Sequence, residues 1–252
     1  MKPCPKLSFR RSNGAETDSI SSAATVNKTP QINSIVNELT CTTAGIGDTD
    51  SLYKDLAMDE TTGLPKPLDI RIFDVNLHAN LQGIHLARHF FDSKNTSPGG
   101  RIVLTSSAVG LYPNHCIPMY SASKHALVGL IRSLAPVYAK DDISINAICP
   151  SMIETNLMPA EVRPRWDRAQ LTPMSTALKA FDAMLADKKM TGQTMELTLD
   201  EVVFTPCPDF QRPNTRWMSE QHELWEAATQ KYLPRPPLQN AVFYHQPPTG
   251  SL

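Results

Sequence analysis

A tyrosine and a lysine stand four residues apart in the segment YSASK, as Tyr120 and Lys124. On a helix, residues at this spacing share a face, so the phenol and the ammonium are expected to point the same way. A phenol has an ordinary pKa of about 10 and is a poor base at neutral pH. A neighbouring ammonium favours the phenolate, so the spacing predicts that Lys124 lowers the pKa of Tyr120 and allows proton exchange with a substrate oxygen. The same spacing also arises by chance in many helices, and by itself it leaves an ordinary helix surface open.

A hydroxyl group that could hold the same oxygen lies upstream, in LTSSAVG. Ser107 precedes Tyr120 by 13 positions and follows the short apolar run RIVLT. This run is too short for a helix and follows two glycines, which indicates a buried parallel strand. Ligands bind at the carboxyl ends of such strands, so Ser107 is expected to lie near Tyr120. The adjacent Ser106 is interpreted as a strand-end hydroxyl group with no part in the chemistry.

The elements that would position these residues alternate between helix and strand. Apolar stripes at helical spacing predict the helices, and short apolar runs bounded by Gly or Pro predict the strands. The segment INSIVNELT fits either a helix or an irregular strand. Alternation of this kind favours a parallel sheet with helices on both faces. The predicted order is helix 70–94, strand 102–104, helix 119–140, strand 143–150, helix 172–187, a last strand within 192–204 and a tail helix within 216–233.

Joined together, these segments resemble the short-chain dehydrogenase/reductase family. LTSSAVG is similar to the family's catalytic-serine segment, YSASKHALVGLIRSLA to its Tyr/Lys helix and INAICPSMIETNL to the segment after its sixth strand. DVNL is similar to the segment with the fourth catalytic residue, and TGQTMEL to the last loop and strand. The resemblance covers about residues 43–205. It implies an α/β fold, a doubly wound parallel sheet of the Rossmann type.

The resemblance also implies roles for individual residues at the matching positions. Tyr120 would be the general acid/base, and Lys124 would lower its pKa and hydrogen-bond the nicotinamide ribose. Ser107 would orient and polarise the substrate carbonyl, and Asn76 would hold a water molecule in a proton relay. The cofactor-binding residues would be Tyr120, Lys124 and Asn76, together with the backbone of Ile153 and the hydroxyl group of Thr155 at the nicotinamide carboxamide.

The N-terminal part of the chain departs from the family pattern. The family begins with a strand and a turn of the type T-G-x-x-x-G-x-G, whose backbone amides hold the cofactor pyrophosphate. The first 44 residues contain a single glycine, Gly14, so this turn is not expected there. TTAGIG lies near the position of the family's N-A-G motif, with Thr43 in place of the asparagine, and does not replace the turn. The fold is therefore expected to be N-terminally incomplete, and this chain to bind NAD or NADP weakly or not at all.

Composition divides the chain into three parts. Residues 1–34 are polar and aperiodic and are expected to be poorly ordered, residues 35–205 form the Rossmann domain, and residues 206–252 are a proline-rich tail with one helix. The formal net charge of −1 gives no reason to expect a nucleic-acid partner, and no apolar run approaches the roughly 18 residues of a membrane span. The five cysteines lack metal-ligand spacing, so the sequence predicts no metal site and reduced thiols in a cytoplasmic protein.

The function that the resemblance implies is oxidoreduction of an alcohol/carbonyl pair with NADP or NAD. The substrate is expected to be a small or medium-sized apolar alcohol or ketone under a loop that includes Leu157, Met158 and Trp166, although ordinary loop packing explains these three equally well. A fungal-type tailoring enzyme of secondary metabolism is expected, as is a homo-oligomer formed through helices 72–92 and 119–138. Two alternatives stay open: a truncated or non-catalytic homologue that partners a complete enzyme, and a redox-neutral enzyme that reuses the site.

Overall fold

The computed structural model of the chain describes residues 39–54, 56–92 and 98–230. Its centre is a five-stranded sheet in the order β1-β2-β3-β4-β5. The first four strands run parallel, with Ile102 of β2 beside Ile145 of β3, and β5 returns antiparallel to β4. The strands are β1 Leu39–Thr42, β2 Gly100–Thr105, β3 Ile143–Pro150, β4 Thr194–Thr198 and β5 Glu201–Phe204.

Helices connect and flank these strands. Helix α1 consists of the consecutive segments Arg71–Phe73, Asp74–His78 and Ala79–Phe90, and its middle segment is a π-helical turn. The described helices are too short or too polar to cross a membrane. The other helices are α2 Pro118–Tyr138, α3 Met174–Ala186, α4 Pro213–Glu220 and α5 His222–Gln230, with 3₁₀ turns at Ala108–Gly110, Ala139–Asp141, Arg163–Arg165 and Arg168–Gln170.

The core lies on both faces of the sheet because successive side chains of a strand point to opposite sides. Ile102 and Leu104 of β2 pack into one apolar cluster with side chains of α1 and α2. Val103, between them, belongs to a second cluster with Ile148 and the buried side of α3. A parallel sheet with helices on both faces, as the sequence predicts, is therefore confirmed.

The structure differs from the predicted elements mainly at their ends. The predicted last strand is two strands, β4 and β5, joined by a tight turn at Leu199, which adopts a left-handed φ of 51° that is uncommon for leucine. The predicted tail helix is divided at Gln221 into α4 and α5. The end of INSIVNELT is strand rather than helix, since Leu39 and Thr40 pair with β2.

Some of the predicted regions lie outside the described residues. These are residues 1–34, the start of the predicted Rossmann domain at 35–38 with most of INSIVNELT, the end of the first predicted helix at 93–94, and the part of the tail after residue 230. Within the described residues, β1 and β5 are the two edges of the sheet. No cluster of three or more His, Cys, Asp or Glu side chains is arranged for metal binding in this part of the chain.

Candidate active site

Hydrogen bonds join the end of β2 to the start of α2, at what is here called the β2–α2 junction. The Ser106 hydroxyl donates to the backbone carbonyl of Lys124 over 2.9 Å. The Ser121 hydroxyl donates to the carbonyl of Val109 over 2.8 Å. Ser106 therefore has a structural role, which agrees with its interpretation as a strand-end hydroxyl group, and the junction brings Ser107 to the first turn of α2.

Ser107 lies close to Tyr120 at this junction. The Ser107 side chain lies near enough to the phenol of Tyr120 to favour its phenolate form and so to lower its pKa. The Ser107 hydroxyl also lies 3.3 Å from the carbonyl oxygen of Pro150, at the end of β3, to which it donates. The carboxyl ends of two neighbouring strands thus converge on one serine, as expected for a ligand site in a parallel sheet.

Lys124 lies one helical turn after Tyr120, and its side chain is 2% exposed. Its Nζ donates to the carbonyl oxygen of Thr105 over 2.9 Å and lies 5.5 Å from the centre of the Tyr120 ring. Burial disfavours the charged ammonium and lowers the pKa of Lys124 to about 8. The shared helix face predicted from the sequence is therefore present.

The sequence predicts a lowered pKa for Tyr120, whereas in the structure that pKa is raised. Burial raises the pKa of Tyr120 above its ordinary value of about 10, and the nearby Ser107 hydroxyl group opposes this rise. The Lys124 ammonium lies 5.5 Å from the centre of the ring and donates to the carbonyl oxygen of Thr105. The phenol is therefore protonated at neutral pH and can donate its proton.

Asn76 lies in the π-helical turn of α1, fully buried. Its side-chain amide forms a reciprocal pair with the backbone of Ile46, accepting from the N–H over 2.8 Å and donating to the carbonyl over 2.9 Å. The same Nδ2 lies 3.1 Å from the Ser123 hydroxyl on α2. Asn76 thus joins three elements beside Lys124, while its role in a proton relay stays a prediction.

The two remaining predicted residues lie in the loop after β3. Ile153 is half-buried against the second apolar cluster. Thr155 is exposed, and its hydroxyl oxygen accepts a hydrogen bond from Leu157 N–H over 3.3 Å, within the same loop. Their cofactor contacts stay predictions. The three residues predicted to cover the substrate differ in exposure. Met158 is buried, whereas Leu157 and Trp166 are 46% and 44% exposed.

Asp48 is a site residue that the sequence did not reveal. It lies in the loop after β1, and its carboxylate accepts hydrogen bonds from the backbone N–H groups of Tyr120 over 2.6 Å and Met119 over 3.2 Å. Asp48 and these partners are 72 and 71 positions apart in the sequence, and no motif marks the aspartate. Its role depends on the loop and the helix meeting in space.

Gly110 is expected to tolerate no side chain at the β2–α2 junction. A Cβ there would run into the Ser106 hydroxyl and lie 2.8 Å from the carbonyl oxygen of Lys124. Overpacking of this kind costs roughly 1–3 kcal/mol, so urea denaturation of Gly110→Ala should show a loss of this size in the free energy of unfolding.

Gly129→Ala is the matched control. Position 129 lies in α2 with open space around it, and alanine is the better helix former, so this variant should be as stable as the parent or slightly more stable. Equal stability of the two alanine variants would contradict the close packing at Gly110.

The fold and the junction agree with a known family. The family model described as short chain dehydrogenase matches residues 15–165, which is more than half of the chain. The chain therefore belongs to the short-chain dehydrogenase/reductase family. The match also begins nearer the N-terminus than the motifs recognised in the sequence, which start at about residue 43.

Curated relatives match only part of their own length. Short-chain dehydrogenase/reductase prx6 of Penicillium rubens is 33% identical over 174 residues, which are 67% of this chain and 57% of prx6. Short-chain dehydrogenase/reductase ATR7 of Stachybotrys chlorohalonatus is 39% identical over 120 residues, 47% of this chain and 36% of ATR7. The human 15-hydroxyprostaglandin dehydrogenase (NAD+) is 34% identical over 90 residues, 35% of this chain and 34% of that enzyme. The chain thus spans between about a third and 57% of these relatives.

Solved structures share the fold at low sequence identity. The structure of ElxO with NADP bound has a TM-score of 0.50 at 21% identity and covers 66% of this chain and 71% of ElxO. The structure of a 4-hydroxyisoleucine dehydrogenase mutant complexed with NADH and succinate has a TM-score of 0.51 at 21% identity, covering 64% of this chain and 66% of that protein. At this level of identity the likeness supports the fold alone.

Proposed function

We propose that this chain is an oxidoreductase that interconverts an alcohol and a carbonyl compound with NADP or NAD, with Tyr120 as the proton donor and acceptor. The observation that carries the proposal is the proximity of the half-buried Tyr120 to the Ser107 side chain, next to the buried ammonium of Lys124. A hydroxyl group, a phenol and an ammonium at one strand end form a site that can hold an oxygen atom and move a proton to it.

The chemistry of this chain's own residues follows from that arrangement. The Ser107 hydroxyl would hold the carbonyl oxygen of the substrate, and the protonated phenol of Tyr120 would donate its proton as negative charge develops on that oxygen. The Ser107 hydroxyl would then stabilise first the substrate oxygen and afterwards the phenolate of Tyr120. The nicotinamide cofactor, when bound, supplies or takes up the hydride.

The residues present fit the nicotinamide end of the cofactor. An ammonium has three N–H donors, and in the described part of the chain Lys124 Nζ donates one hydrogen bond, to Thr105. Its remaining donors, in a buried position, suit a hydroxylated ligand such as the nicotinamide ribose. Asn76 and Gly45 lie next to the same ammonium: a Cβ built at Gly45 would be 3.4 Å from Lys124 Nζ and 3.5 Å from Asn76 Oδ1.

The finer parts of the proposal concern substrate and assembly. A small or medium-sized apolar alcohol or ketone fits the apolar side chains of the loop after β3, including the exposed Leu157 and Trp166. The fungal sources of prx6 and ATR7 support a role as a fungal tailoring enzyme of secondary metabolism. A homo-oligomer through α1 and α2 is supported by Leu81 and Leu86, which are 41% and 42% exposed on α1.

The direct test is a fluorescence titration of the purified chain with NADH and NADPH, followed by an assay with a panel of small ketones. We expect saturable though weak binding and measurable oxidation of one of the two cofactors. Binding without turnover over the whole panel would favour a redox-neutral enzyme. If the chain shows neither cofactor binding nor turnover, the proposal is overturned. That result would favour a non-catalytic partner of a complete homologue.

The pH dependence of cofactor binding should reveal Lys124. Because burial lowers the pKa of Lys124 to about 8, its ammonium is charged below that pH and loses its charge above it. The affinity for NADH is therefore expected to fall as the pH rises through about 8. Titrations from neutral to mildly alkaline pH check this, with Lys124→Met as the variant that should show no such step. If the fall in NADH affinity near pH 8 persists in Lys124→Met, the titrating group is a different one.

A further inference from the structure

We propose that Asp48 is a positioning residue, which fixes the first turn of α2 so that the Tyr120 phenol lies beside the Ser107 hydroxyl. The inference deepens the proposed function and rests on the role proposed for Tyr120. Asp48 lies in the loop after β1 and is only partly buried, yet its carboxylate makes two hydrogen bonds to the backbone of another element.

The start of α2 explains why an outside carboxylate is needed. The first N–H groups of a helix have no partner within the helix, and a Ser, Thr, Asp or Asn at the cap usually supplies one. Here the cap residue is Ile117, which has no hydrogen-bonding side chain, and the first helical residue is Pro118, which has no N–H. The next two N–H groups, of Met119 and Tyr120, both donate to Asp48. Asp48 thus supplies from a distant loop the cap that the local sequence lacks, and its negative charge suits the helix N-terminus.

The loop that carries Asp48 is itself anchored on both sides. Two residues before it, the backbone of Ile46 is held at both N–H and carbonyl by the Asn76 side chain. One residue after it, the Thr49 hydroxyl donates to the carbonyl of Asp69 over 3.1 Å. These anchors fix the position of Asp48 independently of α2. It fixes the Tyr120 backbone relative to the same loop that contacts Asn76.

The expected consequence concerns placement of the phenol. Misplacement of a reacting group by about 1 Å can lower a rate by about 10²-fold. Without Asp48, the first turn of α2 should loosen and Tyr120 should become more exposed. Because burial raises the pKa of Tyr120, greater exposure should lower that pKa towards its ordinary value.

The test combines a spectroscopic and a kinetic measurement on Asp48→Ala and Asp48→Asn. The phenolate absorbance of Tyr120 is isolated by subtracting the titration curve of a matching Tyr120→Phe variant in each background, over the pH range in which circular dichroism shows the protein folded. We expect the titration of Tyr120 to begin at lower pH in Asp48→Ala than in the parent. Asp48→Asn, which keeps an oxygen acceptor, should lie between the two. With a reactive ketone, kcat should fall by about 10- to 100-fold in Asp48→Ala, with little change in KM.

Asp59→Ala is the matched control. Asp59 also accepts hydrogen bonds from two backbone N–H groups, those of Thr61 and Thr62, but within its own exposed turn. This variant should leave the titration of Tyr120 and kcat unchanged. An unshifted Tyr120 titration in folded Asp48→Ala, or an equal shift in Asp59→Ala, would overturn the proposal. If even the parent lacks turnover, the proposed function fails, whereas the titration still decides whether Asp48 holds Tyr120.

Discussion

Replacing Tyr120 by phenylalanine should lower kcat with the best ketone of the panel by about 10²–10⁴-fold, the contribution typical of a positioned proton donor. Phenylalanine keeps the ring but lacks the hydroxyl group, so the proton that would be transferred is lost. The fold should survive, since the ring remains in place. The measurement is steady-state turnover of parent and variant, together with thermal unfolding of both.

Tyr138→Phe provides the control for this prediction. Tyr138 is a tyrosine near the C-terminal end of the same helix, 9% exposed and packed in the first apolar cluster, far along α2 from Ser107. Loss of its hydroxyl group should leave kcat close to that of the parent. Near-parental turnover in a folded Tyr120→Phe protein would mean that the phenol does not carry the proton transfer.

Replacing Lys124 by methionine should stabilise the protein at neutral pH while it weakens cofactor binding. Burial lowers the pKa of Lys124 from its ordinary 10.5 to about 8, so keeping the ammonium charged in the folded state costs up to about 3 kcal/mol, at about 1.36 kcal/mol for each pKa unit. Loss of the hydrogen bond from the charged ammonium to Thr105 offsets about 1.5–3 kcal/mol of this. We therefore expect the free energy of unfolding at pH 7 to rise by up to about 1.5 kcal/mol.

The stability gained in Lys124→Met should depend on pH in a known direction. Between about pH 8 and the ordinary pKa of 10.5, the unfolded chain binds more protons at Lys124 than the folded protein does. The contribution of Lys124 to stability therefore rises with pH in that window, and the advantage of Lys124→Met should shrink there. Urea denaturation at neutral and alkaline pH measures both effects.

Lys179→Met is the matched control for stability. Lys179 also donates to a backbone carbonyl, that of Asp200 over 3.1 Å, but it is exposed on α3. Its ammonium keeps its hydration, so the substitution should bring no comparable gain at neutral pH. A Lys124→Met protein that is less stable than the parent at pH 7 would show that the buried ammonium is well compensated, against the present expectation.

Much of the fold could be predicted from the sequence because its signals are local. Helix α2 was predicted at 119–140 from its apolar stripe and extends over Pro118–Tyr138. Strand β3 was predicted at 143–150 and has those bounds. The β4–β5 hairpin was missed because its turn depends on Leu199 in a left-handed conformation, for which leucine is not a usual residue.

Residue types and spacing determined which groups could do chemistry here. The i,i+4 spacing brought Tyr120 and Lys124 to one helix face, and the strand end before Ser107 placed a hydroxyl group near them. Helix geometry and the edge of a parallel sheet are general enough for a sequence to specify both.

Only the tertiary structure decided how those groups behave. The pKa of Tyr120 is raised rather than lowered because burial depends on packing around the junction, and no spacing along the chain encodes that environment. Asp48 caps α2 from a position 72 residues away from Tyr120, since the loop after β1 and the N-terminus of α2 meet only when the sheet is assembled. Local spacing set the chemical groups of this site, whereas long-range packing set their protonation and their placement.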